Sequence, residues 1–136
     1  MPVAFLTSKV FKMKKIPEIL IIYTGGTIGM VINPATGSLA PFVFDHISKQ
    51  VPELSNFGFH LTTLTFNPLI DSSNIQPSDW VKLATAIQSN YEKYDGFVIL
   101  HGTDTMSYTA SALSFMLDQL SKPVIITGSQ LPIGTL

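Results

Sequence analysis

Four short segments of the sequence are dominated by glycine and by hydroxyl or carboxylate side chains. None of them contains arginine: Thr24-Gly25-Gly26-Thr27, Asp71-Ser72-Ser73, His101-Gly102-Thr103-Asp104-Thr105 and Gly128-Ser129. A threonine hydroxyl attacks a carbonyl only when a base takes its proton and donors stabilise the oxyanion. Thr27 follows two glycines that leave room for a substrate, and Thr103 stands beside the carboxylate of Asp104. These residues favour attack on a small zwitterionic amide, whose ammonium suits a carboxylate and whose carboxylate suits serine hydroxyls.

Each segment also has a purely structural interpretation. The glycine pair after Thr24 is typical of a tight turn, and residues 71–73 have an ordinary loop composition. Residues 103–105 are of the types that cap helices, because their oxygens accept hydrogen bonds from free N–H groups. His101 alone is more typical of a packed histidine than of a catalyst. The convergence of all four segments, rather than any one of them, therefore carries the chemical hypothesis.

The elements that would position these segments follow from hydrophobic patterning. Compact apolar or β-rich runs predict four strands, and stripes at helical spacing predict two helices. The strands are Glu18–Tyr23, Phe59–Phe66, Phe97–Leu100 and Pro123–Thr127; the helices run from Pro77 to about Tyr94 and from about Met106 to Leu120. This order predicts an α/β fold with a mostly parallel sheet, right-handed crossovers and flanking helices. Ligands bind beyond the carboxyl ends of such strands, where the four polar segments fall.

Two further stretches receive local predictions. Residues 29–41 are rich in Gly, Pro and Asn, which predicts a long loop without regular structure. Phe44 to Leu54 predicts a short helix with Asp45 as its N-cap and a first turn through His46 and Ile47. The second main helix, at residues 106–120, has so wide an apolar arc that we expect it to be well buried.

Composition excludes several classes of function. The 136 residues include no cysteine, which excludes a disulfide framework, a thiolate metal site and a cysteine nucleophile. The basic residues are eight lysines against nine acidic residues, for a net charge of −1, which disfavours nucleic-acid binding. His46 and His60 have no ligand partners at metal-binding spacing. No apolar run approaches the ~20 residues that span a membrane, and the N-terminal lysines follow their apolar stretch, unlike a secretory signal. We expect a cytoplasmic protein.

Two longer motifs resemble the signatures of the bacterial-type L-asparaginase family. They are Ile21-Ile22-Tyr23-Thr24-Gly25-Gly26-Thr27-Ile28-Gly29 and Gly96-Phe97-Val98-Ile99-Leu100-His101-Gly102-Thr103-Asp104-Thr105-Met106. Residues 71–73 and 122–129 also fall where that family has substrate-contacting loops. The resemblance runs from about Ile19 to the last residue and is greatest to the cytoplasmic type I branch.

The resemblance implies hydrolysis of L-asparagine to L-aspartate and ammonia, with no cofactor and no metal. Thr27 would be the primary nucleophile, and Thr103 the second essential threonine, acting with Asp104 in proton transfer. Ser72 and Asp104 would hold the α-carboxylate and the α-amino group. The other expected substrate-binding residues are Gly26, Asp71, Ser73 and Ser129. Backbone N–H groups near Gly26 and Thr103 are our hypothesis for the oxyanion, and covalent and direct water attack both stay open.

The sequence departs from the family pattern in two places. Family members complete the relay of Thr103 and Asp104 with a lysine further downstream. Lys122 is not that lysine, because it precedes the fourth strand and lies at its opposite end. The family also often carries a tyrosine shortly after the first motif, where this sequence has Ser38.

The resemblance also predicts the domain organisation. Residues 1–16 are an N-terminal extension, and residues 17–136 are an incomplete N-terminal α/β domain that carries the active-site threonines. The family's smaller C-terminal domain has no counterpart in this sequence. We therefore expect the 136 residues alone to be inactive, and the full-length enzyme to be a homo-oligomer, either dimer or tetramer.

Two other functions compete with this interpretation. A flavodoxin-like module would cradle a phosphate or FMN on the loop after the first strand. It requires a helix directly after that loop, whereas residues 31–41 disfavour a helix. A non-catalytic amino-acid-binding domain would share the fold with a degenerate site, which the intact Thr27, Thr103 and Asp104 argue against.

Overall fold

The computed structural model describes residues 15–41 and 51–133. In chain order, its strands and α-helices are β1 (Glu18–Tyr23), β2 (Met30–Ile32), β3 (Leu39–Pro41), β4 (His60–Thr65), α1 (Pro77–Asn90), β5 (Gly96–Leu100), α2 (Met106–Met116) and β6 (Val124–Thr127). Single-turn or short 3₁₀ helices cover Thr27–Gly29, Pro52–Phe57 and Ser72–Asn74. The predicted α/β class and all four predicted strands are confirmed.

The main sheet has the order β4-β1-β5-β6, and every neighbouring pair is parallel. The central strands are apolar on both faces because both faces are covered. Leu20, Ile22 and Ile99 face a core that includes Leu83 and Ile87 of α1. On the opposite face, Ile21, Tyr23 and Leu100 form a second cluster that includes Ile28 and Val31 from the segment after β1.

Helix α1 begins as its sequence predicts. Pro77 occupies the first turn, and the Asp79 carboxylate accepts a hydrogen bond from the Gln76 N–H at 3.0 Å in a capping box. The helix ends at Asn90, a few residues before the predicted end. Leu83 and Ile87 are its buried residues.

The prediction of an irregular loop over residues 29–41 is wrong. β2 and β3 pair as a short antiparallel hairpin, with Met30 opposite Pro41. Asn33, Pro34 and Gly37 lie in its turn, where the Asn33 N–H donates to Ser38 O at 2.8 Å and Asn33 Oδ1 accepts from the Ala35 N–H at 2.9 Å. Strands of three residues are too short to show a period in the sequence.

The expectation that the second main helix is well buried is also wrong. α2 stops at Met116 rather than Leu120, because Leu117 is extended and Gln119 has a positive φ. Thr109 and Leu113 are its buried residues, whereas Phe115 is 89% exposed. The helix buries only a narrow face, and Tyr108, Phe115 and Met116 are exposed.

The predicted helix over 44–54 lies mostly outside the described residues, including its cap at Asp45 and its first turn at His46 and Ile47. Its described end belongs to the 3₁₀ helix Pro52–Phe57.

Candidate active site

The order of the strands places a crevice between β1 and β5. From β1 the chain moves to β4 on one side and then returns to β5 on the other. The loops that leave β1 and β5 therefore diverge at this point, which is where ligands bind in open α/β sheets. The two longest glycine-hydroxyl segments of the sequence are those two loops.

Backbone and side-chain hydrogen bonds tie the exit of β1 to its neighbours. The N–H and the hydroxyl of Thr24 both donate to Leu100 O at 3.0 Å, across to the end of β5. The Ile70 N–H donates to Thr24 O at 2.7 Å, which attaches the loop that contains Asp71. The buried Thr24 thus connects its own segment to the loop that contains Asp71 and to the end of β5, where the segment 101–105 begins.

Glycines allow these loops to touch. A Cβ built on Gly26, which has φ +90°, would lie 2.6 Å from the Gly102 N and Cα atoms. A Cβ on Gly102 would lie 2.3 Å from Ser72 Oγ. Any side chain at either position would force the loops apart, so close packing rather than a turn alone explains these glycines.

The Tyr23 side chain supports the turn that begins at Thr27. The buried Tyr23 hydroxyl donates to Gly26 O at 3.1 Å, and burial raises the pKa of that hydroxyl, so it stays protonated as a donor. The Gly29 N–H also donates to Gly26 O, at 3.2 Å, and closes the 3₁₀ turn that Thr27 begins. The Thr27 side chain is half-buried.

Ser72 and Asp104 meet across the crevice. Ser72 Oγ donates to Asp104 Oδ2 at 3.4 Å, and the Thr105 hydroxyl donates to Ser72 O at 2.7 Å. Thr105 occupies the N-cap position of α2 but makes no side-chain capping bond, so the capping interpretation does not explain its hydroxyl. Ser72 is buried and Asp104 is exposed.

Asp71 is held by its own loop. Its Oδ1 accepts hydrogen bonds from the Ser73 N–H at 3.0 Å and the Ser73 hydroxyl at 2.8 Å. These two bonds, led by the backbone N–H, hold the pKa of the Asp71 carboxyl below its ordinary value. Asp71 and Ser73 are both exposed.

His101 is a packed histidine, as its structural interpretation predicts. It is buried, its Nδ1 lies 2.6 Å from Gly102 O, and its Nε2 lies 3.0 Å from Thr109 Oγ1. The Trp80 indole N–H donates to the same Thr109 oxygen at 2.9 Å. A carbonyl only accepts, so Nδ1 is the donor to Gly102 O, and an indole N–H only donates, so the Thr109 oxygen accepts from Trp80. The chain of bonds links α1, α2 and the end of β5.

A cavity of about 370 Å³ opens between these loops. Six of the predicted site residues line it: Gly26, Thr27, Asp71, Ser72, Thr103 and Asp104. Ser73 and Ser129 are not in its lining; Ser73 bonds to Asp71, and Ser129 Oγ accepts from the Leu131 N–H at 3.0 Å. Apolar side chains of Met30, Leu69 and Ile70 complete the walls.

Sequence reasoning missed one polar residue of this cavity. Gln130 lines it, and its Nε2 donates to Thr103 Oγ1 at 2.6 Å. The rule that selected Ser129, a polar residue just beyond the carboxyl end of a strand, extends one position further and would have found it.

Ser38 and Lys122, the two residues discussed with the departures from the family pattern, are not part of this cavity's lining. Ser38 is in the hairpin turn, and its Oγ is 2.7 Å from Thr36 Oγ1. Lys122 precedes β6, and its ammonium group donates to Tyr91 O.

A larger cavity of about 460 Å³ lies between α1 and residues 116–120 at and after the end of α2, and no glycine-hydroxyl loop lines it. Within residues 15–41 and 51–133, no three His, Asp or Glu side chains are grouped to hold a metal ion. In the same ranges, no helix has the length and apolarity needed to cross a membrane.

Comparison with known proteins decides the family. The family model "Asparaginase, N-terminal" matches residues 18–136. The chain belongs to the asparaginase family. L-asparaginase 1 of Escherichia coli is 49% identical over 127 residues, which cover 88% of this chain and 36% of that protein.

Solved structures of asparaginases share the fold. L-asparaginase I from Vibrio cholerae superposes with a TM-score of 0.74 at 49% identity, over 88% of this chain and 36% of that one. The probable cytoplasmic L-asparaginase from Campylobacter jejuni gives a TM-score of 0.70 at 32% identity, over 87% and 36%. The chain thus spans about a third of the length of these asparaginases.

The flavodoxin-like alternative loses its structural basis. Thr27 begins a single 3₁₀ turn that leads into β2, rather than the helix whose N-terminus would bind a phosphate.

Proposed function

We propose that this chain supplies the hydroxyl-bearing part of an L-asparaginase active site, which hydrolyses L-asparagine to L-aspartate and ammonia. One observation carries the proposal. Thr27, Thr103 and Asp104 leave two different strands, more than seventy residues apart in sequence, and line the same cavity. The family of the chain and the names of its relatives support the same reaction.

The pair formed by Ser72 and Asp104 suits the backbone groups of asparagine. A hydroxyl donor and a carboxylate acceptor lie 3.4 Å apart in the lining of the cavity. An α-carboxylate accepts a hydrogen bond from the hydroxyl, and an α-ammonium group pairs with the carboxylate. The substrate's side-chain amide then extends toward Thr27 and Thr103.

Thr27 is the proposed nucleophile. Its Oγ attacks the amide carbon and its proton passes to the pair Thr103 and Asp104, while the carbonyl oxygen becomes an oxyanion that backbone N–H groups near Gly26 and Thr103 stabilise. The C–N bond then breaks, and the nitrogen leaves as ammonia after it gains a proton by way of Thr103 and Asp104. Water hydrolyses the aspartyl ester and restores Thr27.

Direct attack by water gives the same products without an ester. In that route Thr27 orients the water, and no covalent intermediate forms. Mass spectrometry of rapidly quenched enzyme distinguishes the routes, because only the first places an aspartyl group on Thr27.

We also propose that the enzyme acts in the cytoplasm as a homo-oligomer. The description of the C. jejuni relative as a probable cytoplasmic asparaginase supports the location. Light scattering of the complete protein tests the assembly, and a monomer that hydrolyses asparagine at full rate would contradict it.

A chimera tests the proposed reaction. Residues 18–136 replace the matching segment of the E. coli relative, and ammonia release from L-asparagine is measured. We expect turnover by the chimera, none by the 136-residue chain alone, and a loss of about 10³-fold or more in kcat with Thr27→Ala. Thr85→Ala, an exposed threonine on α1, is the matched control and should retain turnover. Unchanged kcat with Thr27→Ala would overturn the assignment of the nucleophile.

A further inference from the structure

Gln130 forms a hydrogen bond with Thr103, one of the proposed catalytic residues. Its side-chain amide nitrogen lies 2.6 Å from Thr103 Oγ1, and both residues line the cavity of about 370 Å³. Gln130 stands in the loop after β6, whereas Thr103 stands in the loop after β5. The contact therefore crosses between the ends of two neighbouring strands.

We propose that Gln130 is a positioning residue that sets the direction of the Thr103 hydroxyl proton. This inference rests on the proposed asparaginase function and adds a residue to it. A hydroxyl group has one hydrogen to donate and two lone pairs that accept. The Gln130 N–H occupies one lone pair, so the Thr103 hydrogen points away from Gln130 and is available to the substrate's amide nitrogen.

The opposite orientation of the glutamine amide would have the opposite effect. If Oε1 faced Thr103, it would accept the hydroxyl hydrogen and draw it away from the substrate. With Nε2 facing Thr103, the threonine hydroxyl donates to the leaving nitrogen. With Oε1 facing Thr103, the hydroxyl can only accept from that nitrogen. Substitutions at position 130 distinguish the two orientations.

Gln130→Glu is the decisive variant, because it has nearly the same shape but cannot donate when ionised. In the chimera at pH 7.5 we expect kcat to fall about tenfold or more, with KM changed less than about threefold. Gln130→Met, which has no hydrogen-bond donor and only a weakly accepting sulfur, should lose a similar factor.

The pH profile distinguishes a lost donor from a merely disturbed loop. A protonated carboxyl donates again, so the ratio of variant to parent kcat should rise as the pH falls toward the ordinary carboxyl pKa of about 4.3. Gln88→Glu, the same change at an exposed position of α1, should give a ratio near one at every pH. Full activity of Gln130→Glu at pH 7.5, or a ratio that does not change with pH, would overturn the inference.

A second measurement needs no turnover. In the 136-residue chain labelled with ¹⁵N, the Gln130 side-chain NH₂ signals are the pair that Gln130→Met removes. We expect Thr103→Val to move this pair toward the positions of glutamine side chains that are hydrogen-bonded only to water, and Thr85→Val to leave it in place. Signals that do not respond to Thr103→Val would refute the contact. A chimera without turnover would count against the proposed function. The Gln130 NH₂ signals would still test whether Gln130 donates to Thr103.

Discussion

At the scale of single residues, the site depends on the absence of side chains as much as on their chemistry. Thr27 and Thr103 approach one cavity because Gly26 and Gly102 let two main chains touch. The hydroxyls could be selected from the sequence, because they follow strands. The reason for the glycines could not, because a sequence does not show which backbone will lie against which.

Gly26→Ala tests this contact. The added Cβ meets backbone atoms of Gly102 at 2.6 Å, and φ is +90°, so we expect a loss of about 2–4 kcal/mol in the free energy of unfolding. Gly37→Ala is the control, since φ is +67° with no atom within 4 Å. It should cost only about 1–2 kcal/mol for the backbone conformation. Urea denaturation measures both, and equal losses would contradict the close-packing argument.

Asp71 gives a prediction on pH. Its bonds from Ser73 lower the pKa of the folded state below the unfolded value. Their contribution to stability is therefore complete above the ordinary pKa of about 3.9 and is lost as the pH falls through the lowered folded pKa. Ser73→Ala should raise the pKa of Asp71, because one of the two bonds is lost, and NMR titration of the carboxyl carbon measures it. An unchanged pKa would show that the serine hydroxyl does not stabilise the carboxylate.

At the scale of elements, a buried polar chain holds the helices against the end of β5. The Trp80 N–H donates to Thr109, and the Thr109 hydroxyl is hydrogen-bonded to His101 Nε2. His101 was correctly interpreted as a packed residue, but its partners could not be predicted, because they come from α1 and α2. Long periodic elements were predicted well, whereas the three-residue strands β2 and β3 and the exposure of α2 were not.

Thr109→Val tests the importance of this chain. Valine has the same shape but leaves the Trp80 N–H and His101 Nε2 without partners, so we expect a loss of about 1–3 kcal/mol. Thr109→Ser keeps the hydroxyl and should recover part of that loss. Thr85→Val, on the exposed face of α1, should change stability by less than about 0.5 kcal/mol. A Thr109→Val variant as stable as the parent would contradict the role of the network.

At the scale of the whole molecule, the sheet brings distant parts of the sequence into one crevice. The order of elements was enough to predict a parallel sheet with polar segments at one edge, and that prediction is confirmed. It was not enough to predict which side chains of those segments line the cavity: Ser73 and Ser129, which were expected at the site, lie outside its lining. Gln130 follows Ser129 directly, but only the pairing of β5 with β6 shows that it meets Thr103.

The central claim is that Thr27 and Thr103 act together on one amide, and a double-mutant cycle on kcat tests it most directly. Chimeras carrying Thr27→Ala, Thr103→Val and both changes are assayed for ammonia release from L-asparagine. Groups that act as a unit give non-additive losses, so we predict that the double variant is no slower than the slower single variant, within about threefold. Losses that multiply, or full turnover in either single variant, would contradict the account.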